Sequence, residues 1–340
     1  MLTNRIFKLF KVNMIIRRLT RLAALFFVMI CVSCAGKKHE DSHFDILALR
    51  GPSSVGMVHL IDSPGTVNNK PIRITMMDDP MQVRAMILKE HPEVAVLPLN
   101  MAAILYNKDI PYQLAAVPVW GTLFLCGTDT TIRSWQDLKG KRVNLMGRGA
   151  TPDLITRYFL ELEGLNPESD LIIDYSFPSP SDLANAMIAG VVQIAVLSEP
   201  MLSMAQARNS DIRVILDFST EWALMHPDAP GLPQTAIMVQ KRMIREQPEE
   251  FREVMVRWKQ SSDSVTRYPL GAAAPVIRHR ILPDSATTIL SIPRSNLAFI
   301  PAIEAKSAVN RYLSVLLKFS PDAIGRHLPD ERFFYQESDH

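Results

Sequence analysis

Cysteine is scarce in this sequence, with three in 340 residues. Cys31 and Cys34 lie within or beside an apolar N-terminal run, and only Cys126 belongs to the body, so an internal disulfide framework is excluded there. Cys126 sits in Leu123-Phe124-Leu125-Cys126, which favours a buried structural thiol over a nucleophile. The apolar stretch Leu22 to Val32 is too short to cross a bilayer as a helix, which takes about 20 residues. The chain has no Gly-x-x-x-x-Gly-Lys-Ser/Thr loop to cradle nucleotide phosphates, so it is not itself an ATPase. It has no Gly-x-Ser-x-Gly elbow to present a nucleophile either. Internal repeats and low-complexity tracts are also absent.

Acidic residues are missing before Cys34, where all the charge comes from Arg5, Lys8, Lys11, Arg17, Arg18 and Arg21. Removing those six positive charges turns the formal +2 into −4. A body of that charge has no electrostatic reason to seek nucleic acid. The N-terminal segment reads as an address: basic residues, then Leu22 to Val32, then Ser33-Cys34-Ala35-Gly36. Met1 and Met14 are both candidate starts, the second leaving a signal of more usual length. Lys37 to Ser42 is polar and suits a tether. His39-Glu40-Asp41-Ser42-His43 invites a metal reading, but nothing nearby would hold the ligands rigidly, and a solvated linker is the preferred reading.

From Phe44 onward apolar runs alternate with helical periodicity. Strands are expected at Phe44 to Leu49, Ile72 to Met76, Val94 to Leu97, Leu114 to Val119, Arg142 to Met146, Leu171 to Tyr175, Gln193 to Leu197 and Thr235 to Val239. Helices are expected from about Ser54, capped by Ser53 or Ser54, from Pro80, after Asn100, from Thr151 as cap, from Ser181, and from Met201. After Pro233 the pattern becomes helical, with a long amphipathic segment from Pro248 to Tyr268 and another from Ile303 to Phe319. Such alternation predicts an α/β protein with mostly parallel sheets covered on both faces.

Several segments resemble one family. Trp135-Gln136-Asp137-Leu138-Lys139-Gly140-Lys141-Arg142-Val143 is similar to the start of the second lobe in type II periplasmic solute-binding proteins. Ala195-Val196-Leu197-Ser198-Glu199-Pro200 resembles a strand end in the nitrate, sulfonate and thiamine-precursor branch, and Gln247-Pro248-Glu249 resembles the return to the first lobe. Cys31-Val32-Ser33-Cys34 resembles a lipobox, in which the second cysteine carries lipid. The resemblance implies a two-lobed α/β fold with a hinge, ligand capture in the interlobe cleft, and an ABC permease and ATPase as partners. It implies no enzyme activity and no cofactor. The expected division is 1–33 signal, 34–43 tether, 44–121 with 234–335 as lobe one, and 122–233 as lobe two. A monomer, lipid-anchored to a cell-envelope membrane and facing the periplasm, is expected.

In open α/β sheets ligands bind beyond the carboxyl ends of strands. Four loops meet that rule and supply the candidate ligand contacts: Gly51, Ser53 and Ser54; Pro98 and Asn100; Arg148, Gly149 and Thr151; and Glu199. Glycine admits close backbone approach, and Ser, Thr and Asn offer neutral hydrogen bonds. Plain turn chemistry is the alternative for each loop. Trp120 and Trp222 flank the expected crossings between lobes, where they either stack on a flat ligand or pack in the core. Glu199 either meets an amine or pairs with a lysine or arginine. Arg148 beside the Thr151 helix would make an anion site. The preference is for Glu199 facing inward and a nitrogen heterocycle such as a thiamine-precursor pyrimidine, with an alkanesulfonate or nitrate-like anion as the alternative.

Two other functions share the fold: an enzyme, with Ser198, Glu199 and His226 as an imaginable set, and a ligand sensor that does not transport. The N-terminal reading gives the first test. Replacing the lipid-bearing thiol, Cys34→Ser, is expected to move the protein from membranes to the soluble fraction, with Cys31→Ser having little effect. Cys34→Ser protein retained on salt-washed membranes would place the anchor elsewhere.

Overall fold

A computed structural model describes residues 43–227 and 229–337. The signal, Cys34 and the tether through Ser42 lie outside them. The strands are β1 (Phe44–Leu49), β2 (Thr66–Val67), β3 (Lys70–Met77), β4 (Val94–Pro98), β5 (Tyr112–Val119), β6 (Leu123–Gly127), β7 (Arg142–Asn144), β8 (Ile172–Asp174), β9 (Ile194–Ser198), β10 (Arg213–Asp217), β11 (Thr235–Gln240) and β12 (Leu297–Pro301). The helices are α1 (Pro52–Gly56), α2 (Val58–Asp62), α3 (Pro80–Glu90), α4 (Leu99–Tyr106), α5 (Thr151–Leu162), α6 (Pro180–Ile188), α7 (Met201–Arg208), α8 (Phe218–Met225), α9 (Lys241–Glu246), α10 (Pro248–Arg267), α11 (Pro269–Arg278), α12 (Ser285–Arg294) and α13 (Ala302–Phe319).

Two sheets result. A seven-stranded sheet runs β12-β5-β11-β4-β1-β3-β2 and a five-stranded sheet runs β10-β6-β9-β7-β8. The first takes its strands from both ends of the body, the second from the middle, so the chain crosses between sheets twice. This is the α/β fold that the alternating pattern predicts, in the two lobes that the family resemblance implies. The sheets are more mixed than that pattern suggests. Pairing is parallel in β3-β1-β4 and in β9-β7-β8, and antiparallel where β11, β5 and β12 or β6 and β10 join. The reason is connection geometry. A helix between two strands brings the chain back to run parallel, whereas β5 and β6 leave and enter their sheets through a short crossing.

Local chemistry explains most helix starts. Asp79, Ser179, Asp217 and Asp284 each accept a backbone N–H in the first turn of α3, α6, α8 and α12. The long amphipathic segment is α10, which buries Phe251, Val254, Trp258 and Val265. The helix expected from Ser54 is two short ones, and neither Ser53 nor Ser54 caps it. Both hydroxyls donate to the Leu49 carbonyl instead, and Gly51, at φ 124, makes the turn. Thr151 likewise opens α5 without capping it, the cap position being Ala150.

The crossing at Trp120-Gly121-Thr122 is tightly packed. Trp120 N–H donates to Asn296 O at 3.0 Å, Asn296 Nδ2 donates to Gly121 O at 2.7 Å, and Ser219 Oγ donates to Trp120 O at 2.6 Å. Gly121 has φ 111, and a Cβ there would lie 2.6 Å from Ser219 Cβ. Gly121→Ala is therefore expected to lower unfolding free energy by about 3–5 kcal/mol, from backbone strain plus overpacking. Gly140 has φ 75 with open space beside it, so Gly140→Ala should cost about 1–2 kcal/mol. Urea titration of both variants checks the order, and equal losses would refute the packing argument.

Candidate ligand-binding site

A cleft of about 430 Å³ opens between the two sheets. Leu49, Arg50, Pro52, Ser53, Pro80, Pro98, Asn100, Met101, Val119 and Thr235 line it from the seven-stranded side. Thr122, Leu123, Met146, Ala150, Thr151, Pro152 and Ser198 line it from the five-stranded side, with Gln234 on the returning crossing. Its size suits a small organic molecule. All four loops chosen from the sequence contribute: Ser53, Pro98 with Asn100, Thr151, and Ser198.

The polar groups of the cleft are fixed by their neighbours. Gln234 Oε1 accepts both the Thr122 N–H at 2.6 Å and the Thr122 hydroxyl at 2.9 Å. Asn100 Nδ2 donates to Ala323 O at 3.2 Å. The Thr151 side chain meets the buried Tyr312 hydroxyl, whose pKa burial pushes up to about 12 while Thr151 acts the other way. Arg50 is the one charged side chain among the described lining residues. Its Nε donates to Asp78 Oδ1 at 2.6 Å and its Nη1 to Arg280 O at 2.6 Å.

Four helices begin at the cleft: α3 is capped by the Asp79 side chain, whereas α1, α4 and α5 have no side-chain cap. First-turn N–H groups lack helical partners, and the dipole makes that end positive. In α4 the Leu99 N–H is used by Gln234 O at 2.9 Å. The remaining first-turn donors, together with the Ser198 hydroxyl and Arg50, make the cleft rich in donors, and no carboxylate is among its described lining residues. That chemistry suits an acceptor-rich or anionic group.

The other sequence candidates lie elsewhere. Gly51 shapes the loop between Arg50 and Pro52. Ser54 is buried against Leu49 O. Gly149 N–H donates to Asp153 Oδ2 at 2.7 Å, so this loop is tied to its own helix. Arg148 is exposed, its guanidinium 4.7 Å from the Tyr175 ring centroid. Trp120 is buried, its Nε1 donating to Val117 O and Ala298 O. Trp222 is wholly buried, with His226 at 4.5 Å and Tyr158 at 5.5 Å between ring centroids. Glu199 is 2 % exposed, turned away from the cleft, and has Arg294 Nε 3.5 Å from Oε1. Burial raises its pKa above the ordinary range, with Ser203 and Arg294 opposing. Of the two partners open to Glu199 in the sequence, the structure gives it the arginine. Ser198 lines the cleft while His226 packs on Trp222 and meets the Tyr158 hydroxyl at 3.0 Å.

Arg50, Thr122, Gln234 and Met146 were missed. Arg50 and Met146 adjoin chosen loops, and were legible as strand ends. Thr122 and Gln234 become lining residues only because two remote crossings meet. The His39 to His43 stretch spells His-Glu-x-x-His, a spacing that binds zinc on a helix; all but His43 lie outside the described residues, and β1 starts at the next residue. Among the described residues no group of three His, Cys, Asp or Glu is placed to hold a metal. No described helix is long and apolar enough to cross a membrane.

Comparison with known proteins agrees with this geometry. The family model for the phosphonate ABC transporter periplasmic substrate-binding protein matches residues 65–273, more than half of the chain. An ABC transporter crystal structure from Parabacteroides distasonis is 30 % identical, covering 87 % of this chain and 100 % of its own, with TM-score 0.77. The periplasmic aliphatic sulphonate-binding protein SsuA from Escherichia coli is 15 % identical over 88 % of this chain and 94 % of its own, TM-score 0.66. The periplasmic nitrate-binding protein NrtA from Synechocystis PCC 6803 is 11 % identical over 83 % and 84 %, TM-score 0.59. A search of curated proteins found no match. The chain belongs to the periplasmic substrate-binding proteins of ABC transporters. It is a solute-binding protein that works with an ABC importer, in a family of transport proteins and not of enzymes.

The aromatic placement yields a test. Trp222→Ala should cost about 3–5 kcal/mol of stability, as for other large core truncations. Trp222→Phe, which keeps an aromatic ring in the core, should cost less than Trp222→Ala and leave ligand affinity unchanged. Chemical denaturation with a binding titration decides it, and a large affinity loss in Trp222→Phe would return this residue to the ligand site.

Proposed function

We propose that this protein captures a small organic oxyanion, of the phosphonate or sulfonate class, and hands it to an ABC permease driven by its ATPase. The carrying observation is the donor set of the cleft: the uncapped starts of α4 and α5 with Arg50, and no carboxylate among its described lining residues. The matching family model and the SsuA and NrtA likenesses support the same class. The preference for an amine rested on Glu199 facing inward, and Glu199 faces Arg294. The apolar walls, Val119, Leu123, Met101 and Met146, suit a short carbon chain beside the anionic head. Lobe one comprises 44–121 and 234–335 and lobe two 122–233, closing about the two crossings on the bound molecule. The mature chain is a monomer held to an envelope membrane by lipid on Cys34, facing the periplasm, and the tether gives the lobes reach.

A ligand that binds only the native state raises its melting temperature. Methylphosphonate, ethanesulfonate, nitrate and an aminopyrimidine should be compared by thermal shift and calorimetry. A phosphonate or sulfonate is expected to stabilise the protein, and Arg50→Gln to weaken that binding more than tenfold, as for a charge pair worth about 2–5 kcal/mol. Stabilisation by the aminopyrimidine alone would overturn the oxyanion reading.

A further inference from the structure

The seam between α12 and α7 contains a buried carboxylate that the cleft does not use. Glu199 stands one residue beyond Ser198 on the cleft wall. Its N–H donates to the carbonyl of Thr122, another cleft residue, at 2.9 Å. Its Oε2 accepts the Ser203 N–H at 3.3 Å, while Oε1 accepts no hydrogen bond and lies 3.5 Å from Arg294 Nε. Arg294 comes from the segment after the second crossing, which belongs with the seven-stranded sheet. It ends α12, which packs on α11 and α10 as well as on α7. Its Nη1 donates to Gln206 Oε1 at 2.7 Å, so one guanidinium grips both the end of β9 and the helix after it. Two residues further on, Asn296 holds the crossing through Gly121 O and the Trp120 N–H.

A carboxylate taken out of water is costly unless a cation stays beside it. Any rotation that lifts α12 off α7 strands Glu199 without its cation and frees the Gln206 carbonyl oxygen. The pair therefore favours the arrangement in which α12 rests on α7. Because Glu199 is covalently next to Ser198 and hydrogen-bonded to Thr122, that arrangement also fixes where these two cleft residues stand.

We propose that Arg294 is a positioning residue for ligand capture: by pairing with Glu199 and Gln206 it sets the angle between the two lobes, without touching the ligand. Apparent affinity scales with the fraction of protein in the binding-competent arrangement. An Arg294 variant that reduces this fraction tenfold binds tenfold more weakly with an unchanged contact set. The proposal rests on the cleft being the ligand site, so its primary test needs no ligand.

Ketone-bearing side chains introduced at Val191 and Leu270, which are 71 % and 72 % exposed on opposite lobes, would carry spin labels for a distance measurement on the full chain. Arg294→Met is expected to broaden the distance distribution and move it by several ångström relative to the unmodified residue. Glu199→Gln should do the same, and the double variant no more than either alone, since both remove one interaction. Gln206→Met, a milder change, should give a smaller shift in the same direction, and Arg294→Lys should restore part of it. An Arg294→Met or Gln206→Met protein with native circular dichroism and the unmodified distance overturns the proposal. Methylphosphonate titration of the same proteins should show about a tenfold weaker affinity in Arg294→Met. If methylphosphonate fails to bind even the unmodified protein, the oxyanion reading fails and the distances alone judge Arg294.

Discussion

The structure turns on how two stretches of backbone pass between the sheets without leaving polar groups unpaired. A buried N–H or carbonyl without a partner costs about as much as a lost hydrogen bond. At the outgoing crossing the demand is met from three directions. Asn296 takes the Trp120 N–H and serves Gly121 O, Ser219 serves Trp120 O, and Gln234 takes the Thr122 N–H. Gln234 lies on the returning crossing, so one side-chain carbonyl ties the two passages together. Its own N–H donates to Val119 O at 3.1 Å. The two passages are thereby held together as one unit. Trp120, Phe218, Trp222, Leu232 and Tyr312 then pack a continuous core through the junction.

That junction dictates the character of the cleft. Thr122 and Gln234 sit on the cleft because they sit on the crossings, and their polar atoms face each other before any ligand arrives. The strand ends around them lead into α1, α4 and α5, so donors converge from both sheets. Carboxylates near the junction are spent on the protein itself. Asp153 takes the Gly149 N–H, Arg157 and the Tyr175 hydroxyl, and Glu199 takes Ser203 and Arg294. The result is a cleft rich in donors with acids facing away from it.

Much of the fold was legible in sequence because its parallel units announce themselves. Phe44 to Leu49, Val94 to Leu97 and Gln193 to Leu197 are short apolar runs flanked by turn residues, and each is a strand. The strands β10 and β12 were not legible. Arg213–Asp217 and Leu297–Pro301 are partly exposed and lack a clear alternation, and they form because neighbours at the sheet edge offer hydrogen bonds. The site was legible at the level of loops but not of side chains. Sequence places Ser53, Asn100 and Thr151 after strands, and they line the cleft. It cannot say which way Glu199 turns, because that depends on Arg294, ninety-odd positions away in the chain. Arg148 and the two tryptophans show the same limit: a loop position fixes neighbourhood, while packing fixes direction.

The charge balance bears on how such a cleft works. Residues 34–340 carry a formal −4, so long-range attraction would not bring the proposed anion in, and at physiological salt fields fade within about 8 Å. On the proposed reading recognition rests on donors met at contact: first-turn N–H groups, the Ser198 hydroxyl, and an Arg50 already neutralised in part by Asp78. Such donors are held by the fold and need little reorganisation when the ligand arrives, which improves affinity without adding net charge. Under the proposed hinge motion they would release their ligand when the lobes part, because each lobe holds only half of the set. A protein that must let go at a transporter gains from this division. A site with a dense cluster of cations on one lobe would keep its anion after the proposed opening, whereas donors split between α4 and α5 would lose their hold once the crossings at Gly121 and Gln234 turned.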